Sequence, residues 1–148
     1  MRDKRFVALH RGGPLTKERH VQLIQWAHDC VSHILPLWKG VPDERLTSAL
    51  ATAREWATGK ASVGDARNAA LAAIAVANET IDPVGVLVAR AVGHAVATAH
   101  MTDHCLRAAA YARKAATAAG RSVAEEIQWQ EQKVPAGVRD LVPTPDNV

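Results

Sequence analysis

TKERHVQLIQWAHDCVSHILPLW, residues 16–38, decides how the chain folds. Within it Val21, Ile24, Ala27, Val31, Ile34 and Trp38 recur every three or four positions. At 3.6 residues per turn that spacing draws a single apolar stripe down one α-helix. Thr16 stands before the stripe with a side-chain oxygen suited to a free backbone N–H, and Pro36 to Gly40 supply the stop.

The same grammar repeats toward the C-terminus. Pro42 and Asp43 restart the chain, and Leu46, Ala49, Leu50, Ala53, Trp56 and Ala57 make a second stripe that Gly59 closes. Ser62 and Asp65 form a capping box with aspartate in place of glutamate, opening a third helix through Ala66, Ala70, Ile74 and Ala77. Asp82 as N-cap and Pro83 at the first helical position open a fourth through Val84, Leu87, Ala91 and Ala95. Either this helix runs on through His104 or, the reading we prefer, it breaks at Thr102. That residue would then cap a fifth helix through Leu106, Ala109, Ala112 and Ala116, ended by Gly120. Ser122 and Glu125 open the last, through Val123 and Ile127.

Runs of β-branched residues with period-two alternation are hard to find, so the expected fold is all-α, a compact bundle of five or six helices with alanine-rich central helices. Ala66, Ala70, Ala73 and Ala77, with Ala91, Ala95 and Ala99, put small side chains on single helix faces. Those faces should let the third and fourth helices pack closely as the buried centre. A length of 148 residues suits one domain. Residues 1–15 read as a basic N-terminal arm, 16–134 as the helical domain, and 135–148 as a tail marked by Pro135, Pro143 and Pro145, with both ends loose.

Net charge is +3, and its placement matters more than its size. Residues 1–20 hold six basic side chains (Arg2, Lys4, Arg5, Arg11, Lys17, Arg19) against Asp3 and Glu18, while the remaining chain holds twelve basic and thirteen acidic ones. The body is therefore neutral. No basic face spaced to follow phosphates is visible, and an arm without stacking aromatics has nothing with which to read bases, so nucleic acid ranks last among partners. The N-terminus has no apolar segment of signal-peptide length, and the longest uncharged stretches, 68–78 and 91–102, are shorter than the ~20 residues a membrane span needs. A cytoplasmic protein is expected. Cys30 and Cys105 are too few for a disulfide framework and fall within apolar helical patterns, as reduced buried thiols would.

Seven histidines are the one compositional oddity. On a continuous helix His100 and His104 would share a face at metal-ligand spacing, but two ligands do not make a zinc site, and Met101 stands where an HExxH motif has glutamate. Histidines held structurally by hydrogen bonds or solvent are the better reading. Asp29, Cys30 and His33 lie within one and a half turns; a Cys–His nucleophile needs a third orienting group, and one helix seldom supplies that geometry. Cys30 is instead expected in the core, with Asp29 and His33 as an i,i+4 pair. Phosphate-binding loops, dinucleotide turns, nucleophile elbows and CxxC pairs are all missing, and the adjacent Glu125 and Glu126 point in different directions on a helix. No catalytic residue, metal or cofactor is expected. Trp38 and Trp56 lie on apolar stripes and read as core, whereas Trp129, between Gln128 and Gln130, is the tryptophan to expect partly exposed.

Several segments in order resemble a family of small all-helical bacterial putative immunity proteins associated with polymorphic toxin systems. They are Trp26-Ala27-His28-Asp29-Cys30-Val31 with Ile34-Leu35-Pro36; Ala53-Arg54-Glu55-Trp56 with Gly59; Ala89-Arg90-Ala91-Val92-Gly93-His94-Ala95; Ala97-Thr98-Ala99-His100; Tyr111-Ala112; and Trp129-Gln130 with Val134-Pro135. They span about residues 18–140. The resemblance implies a cytoplasmic, non-catalytic protector that binds a cognate toxin domain, and it transfers no catalytic residue. The side chains offered for that contact are Asp29, His33, His94, His100, His104, Trp129 and Gln130. A second copy of the chain is a further candidate partner. The alternative from another class is a small metal- or ligand-binding helical protein in which His33, His94, His100 and His104 converge.

Overall fold

The helices begin where the sequence supplies acceptors for orphan backbone N–H groups. In the computed structural model, which describes residues 3–145, they are α1 (Lys17–Ile34), α2 (Glu44–Ala57), α3 (Val63–Glu79), α4 (Pro83–Ala97), α5 (His104–Ala118) and α6 (Val123–Gln132). Arg2 of the arm and residues 146–148 of the tail lie outside the described residues. Thr16 Oγ1 accepts from the Arg19 N–H at 3.2 Å, Asp43 from Arg45 at 2.9 Å, Asp82 from Gly85 at 3.0 Å and Ser122 from Glu125 at 3.2 Å. The Ser62–Asp65 box is reciprocal: each side chain accepts from the other's backbone N–H, at 3.0 and 2.9 Å. Gly59 and Gly120 close α2 and α5 with φ of 79° and 85°, the left-handed conformation that glycine adopts without strain.

The chain does break between α4 and α5, but Thr102 is not the cap. It is 2% exposed, and the first N–H groups of α5 bond back into the turn instead: His104 to the Met101 carbonyl at 3.0 Å, Cys105 to Thr102 at 3.1 Å and Leu106 to Asp103 at 3.1 Å. These tight bonds satisfy the donors that a capping oxygen would otherwise take.

Among the described residues there is no β-strand, only an isolated bridge between Ala8 and Leu15, and no helix is long and apolar enough to cross a membrane. Helix α4 is the centre of the bundle. It packs against α1, α2, α3 and α5, and Val88, Ala91, Val92, Ala95 and Val96 are fully buried. The expectation that α3 shares this central place is corrected: α3 packs chiefly against α2 and α4 and keeps an outer face. Ala66, Ala70, Ala73 and Ala77 are buried, but Ile74, expected on that stripe, is 47% exposed and Leu71 60%. One residue past Ala73 is a rotation of about 100°, which carries Ile74 off the narrow alanine face. The contact between α3 and α4 is close. A Cβ placed on Gly93 of α4 would lie 3.7 Å from both the Ala70 carbonyl oxygen and Ala73 Cβ of α3.

The described parts of the ends are anchored, not loose. Phe6, Leu15, Val138 and Leu141 are all buried in or against the core. Arg19 donates to the Gly137 carbonyl at 3.0 Å and to both Asp140 carboxylate oxygens at 2.6 and 2.7 Å, while Arg5 donates to the Asp140 carbonyl at 3.2 Å. The short 3-10 turns Lys4–Phe6 and Ala136–Leu141 are thereby tied to α1 and to each other.

Candidate functional site

The seven residues offered for partner contact separate into two groups held by different helices, with one side chain withdrawn into the core. The first group lies where α1 meets α6. His33 Nδ1 is 3.0 Å from Glu126 Oε2, and its ring stacks on Trp129 with centroids 3.7 Å apart and planes 3° from parallel. Trp129 is half-buried, as expected, with the Lys133 ammonium 5.5 Å from its ring. The expected Asp29–His33 pair does not form: Asp29 is 3.2 Å from His28 instead. Glu126 is 4% exposed whereas Asp29 is open to solvent, and a buried carboxylate has the stronger demand for a hydrogen-bonding partner.

Gln130 is the withdrawn residue, at 2% exposure. Its Nε2 donates to the Ala109 carbonyl at 3.0 Å, its Oε1 accepts from Arg113 at 2.9 Å, and its backbone carbonyl accepts from Trp26 Nε1 at 3.0 Å. It therefore clamps α1, α5 and α6 together. Sequence reasoning missed Arg113 and Glu126 as members of this buried polar layer. The available signal was spacing, since Glu126, Ile127 and Gln130 share the inner face of α6. Burial pushes the Cys30 and Cys105 thiols well up, and both cysteines are free and buried. With Cys30 held as a thiol and the His33 ring occupied by Glu126 and Trp129, no thiolate–imidazole pair is formed.

The second group surrounds the turn from α4 to α5. His94 and His104 face one another through Nδ1 atoms 2.7 Å apart, so one imidazole donates a proton that the other accepts. Tyr111 stacks on His94 at 5.2 Å, and the His100 ring lies 6.0 Å from that of His104. Burial, then His104 and Arg107, pull the His94 imidazole down to about 4. His100 is lowered too, by burial and then by Arg67 and Arg11, and its Nδ1 is buried without a hydrogen-bond partner. The four-histidine convergence considered above is corrected, because His33 projects from α1 onto α6 while the other three gather at the α4–α5 turn. Among the described residues no set of three or more His, Cys, Asp or Glu side chains could hold a metal ion.

A groove of about 330 Å³ opens beside this histidine cluster, between α3 and α4. Ala70, Gly93 and Ala97 form its apolar floor, Leu71 and Ile74 rise from α3, and Arg67 and Arg90 stand at its rim. Sequence reasoning offered none of these four wall and rim residues for a site; Ile74 was placed on the apolar stripe of α3 and Arg90 only within a segment that carries the family resemblance.

A family model described as Imm-5 like putative immunity protein matches residues 13–137. No match is found among curated proteins, nor among solved structures.

Proposed function

The chain belongs to the Imm-5 like putative immunity protein family, and from that membership we propose that it binds a cognate bacterial toxin in the cytoplasm and neutralises it by occlusion, without catalysis. The match over residues 13–137, which takes in all six helices, is the observation that carries this reading. The structure supports it with a surface of the right kind. Protein interfaces combine an apolar middle with a polar rim and are enriched in arginine, and the groove joins exposed Leu71 and Ile74 to Arg67 and Arg90. Reduced, buried Cys30 and Cys105 are compatible with a reducing compartment.

The test is protection. A toxin domain found in a neighbouring gene is expressed with and without the chain, growth is scored, and the two proteins are co-purified and sized. Rescue of growth together with a stoichiometric complex is the expected result. Absence of both protection and binding would overturn the proposal, and a complex of two copies of the chain alone would redirect it toward self-association.

A further inference from the structure

The chain outside its first twenty residues is electrically balanced, yet the surroundings of the groove are not. Arg67 comes from α3 and Arg90 from α4 to line it, and no aspartate or glutamate is among the lining residues. Arg107 of α5 and Arg11 of the N-terminal segment add to the same field, since they act on His94 and His100 respectively. Elsewhere Arg5 is committed to Asp3, Arg19 to Asp140, Arg45 to Asp43 and Glu79, and Arg113 donates to Gln130, whereas Arg54, Arg121 and Arg139, outside the groove, form no ion pair among the described residues. Among the described residues no carboxylate forms an ion pair with Arg67 or Arg90.

The same groove is lined by Leu71 and Ile74 of α3, 60% and 47% exposed. The groove, about 330 Å³, is at the small end of the usual ~300–1,000 Å³ range for binding pockets, with room for one or two side chains and not for a helix. We infer that this groove is the docking site for an acidic segment of the toxin, whose carboxylates pair with Arg67 and Arg90 while a neighbouring apolar side chain covers Leu71 and Ile74. The inference rests on the proposed function and names the chemistry of its partner surface. Guanidinium groups meet carboxylates through paired parallel hydrogen bonds, and charges placed at a rim steer the encounter. A nucleic-acid backbone would satisfy the arginines but offers nothing to the two apolar side chains, so a protein segment is favoured.

The experiment uses the full chain and the toxin domain that the protection test identifies. Arg67→Glu/Arg90→Glu and Leu71→Ser/Ile74→Ser are compared with wild type and with Arg121→Glu, an exposed arginine outside the groove, after thermal melts establish that each variant folds. Kinetics are read across salt from about 50 to about 300 mM. The arginine variant should bind ~100-fold more weakly, chiefly through slower association, and should lose most of the salt dependence seen for wild type. The Leu71/Ile74 variant should bind ~10-fold more weakly, through faster dissociation. Arg121→Glu should bind as wild type does. If wild type binds the toxin and both groove variants match it, the groove inference is overturned while the proposed function stands. If wild type fails to bind at all, the proposed function falls and takes this inference with it. Wild-type binding to duplex DNA that is tighter than to the toxin, and lost in the arginine variant, would overturn it in favour of nucleic acid.

Discussion

Acidification from about pH 7 to about pH 5 should weaken the fold through His94, whose imidazole is held down from 6.5 to about 4 by burial, His104 and Arg107. In the unfolded chain the same side chain takes up a proton near 6.5. Between the two values the unfolded state therefore binds a proton that the folded state refuses. The stability contributed is complete above the unfolded pKa and drains away as pH falls toward the folded one. The full shift would be worth about 2 kcal/mol by pH 5, and partial exposure of the ring reduces the expected loss to about 1 kcal/mol. For a chain of this size that corresponds to a fall in Tm of about 2–4 °C. The carboxylates do not obscure the effect: Asp3, Asp43, Asp65 and Asp140 are each held below 3.8 by hydrogen bonds, so their contributions are lost only in stronger acid. His20 and His100 are also lowered, chiefly by burial, but they are common to wild type and to His94→Gln. Urea unfolding of both proteins at the two pH values isolates the His94 share. If His94→Gln loses as much stability on acidification as wild type, the histidine pair does not behave as its geometry requires.

The fully buried alanines of α3 and α4 should resist enlargement. Ala95→Leu in α4 and Ala73→Leu in α3 should each cost about 1–3 kcal/mol in thermal melts, whereas Ala124→Leu on the exposed face of α6 should stay within about 0.5 kcal/mol; equal melting of all three would contradict the packing. Gln130→Ala removes the side-chain acceptor of the half-buried Arg113 guanidinium and the second donor to the Ala109 carbonyl, and should cost about 1–3 kcal/mol in urea unfolding, so an unchanged midpoint would show that the buried clamp is dispensable. Cys30 and Cys105 are fully buried with their thiols pushed up, so a thiol reagent should label neither in native protein and both after denaturation; prompt native labelling of either would show that its helix is not packed as described.

Helix boundaries were legible in the sequence because capping is local chemistry. Thr16, Asp43, Ser62, Asp82 and Ser122 each act within three residues of themselves, and so do the stops at Gly59 and Gly120. The stripes in α1, α2 and α4 were legible for a similar reason, since a 3.6-residue period needs no knowledge of neighbours. The break at residue 102 could be suspected, but not that backbone bonds within the turn, rather than Thr102, would start α5. What the period could not say was which helix would be enclosed. Both α3 and α4 carry alanine faces, and only the placing of α1, α2 and α5 around α4 left Leu71 and Ile74 of α3 outside.

The candidate site was the least legible feature, because its parts come from α3, α4, α5 and the N-terminal segment. A count of charges located the positive excess in the first twenty residues, where Arg5 and Arg19 turn out to be paired with Asp3 and Asp140. The unpaired groove cations, Arg67 and Arg90, sit in stretches that look neutral when read along the chain. Likewise the choice of Glu126 over Asp29 by His33 follows from burial, which no window of sequence contains. The chain by itself settled where backbone donors and acceptors are satisfied, since those partners are a few residues apart. Only the tertiary structure decided which side chains meet, because Coulombic attraction, burial and packing act through space between residues that the sequence holds far apart.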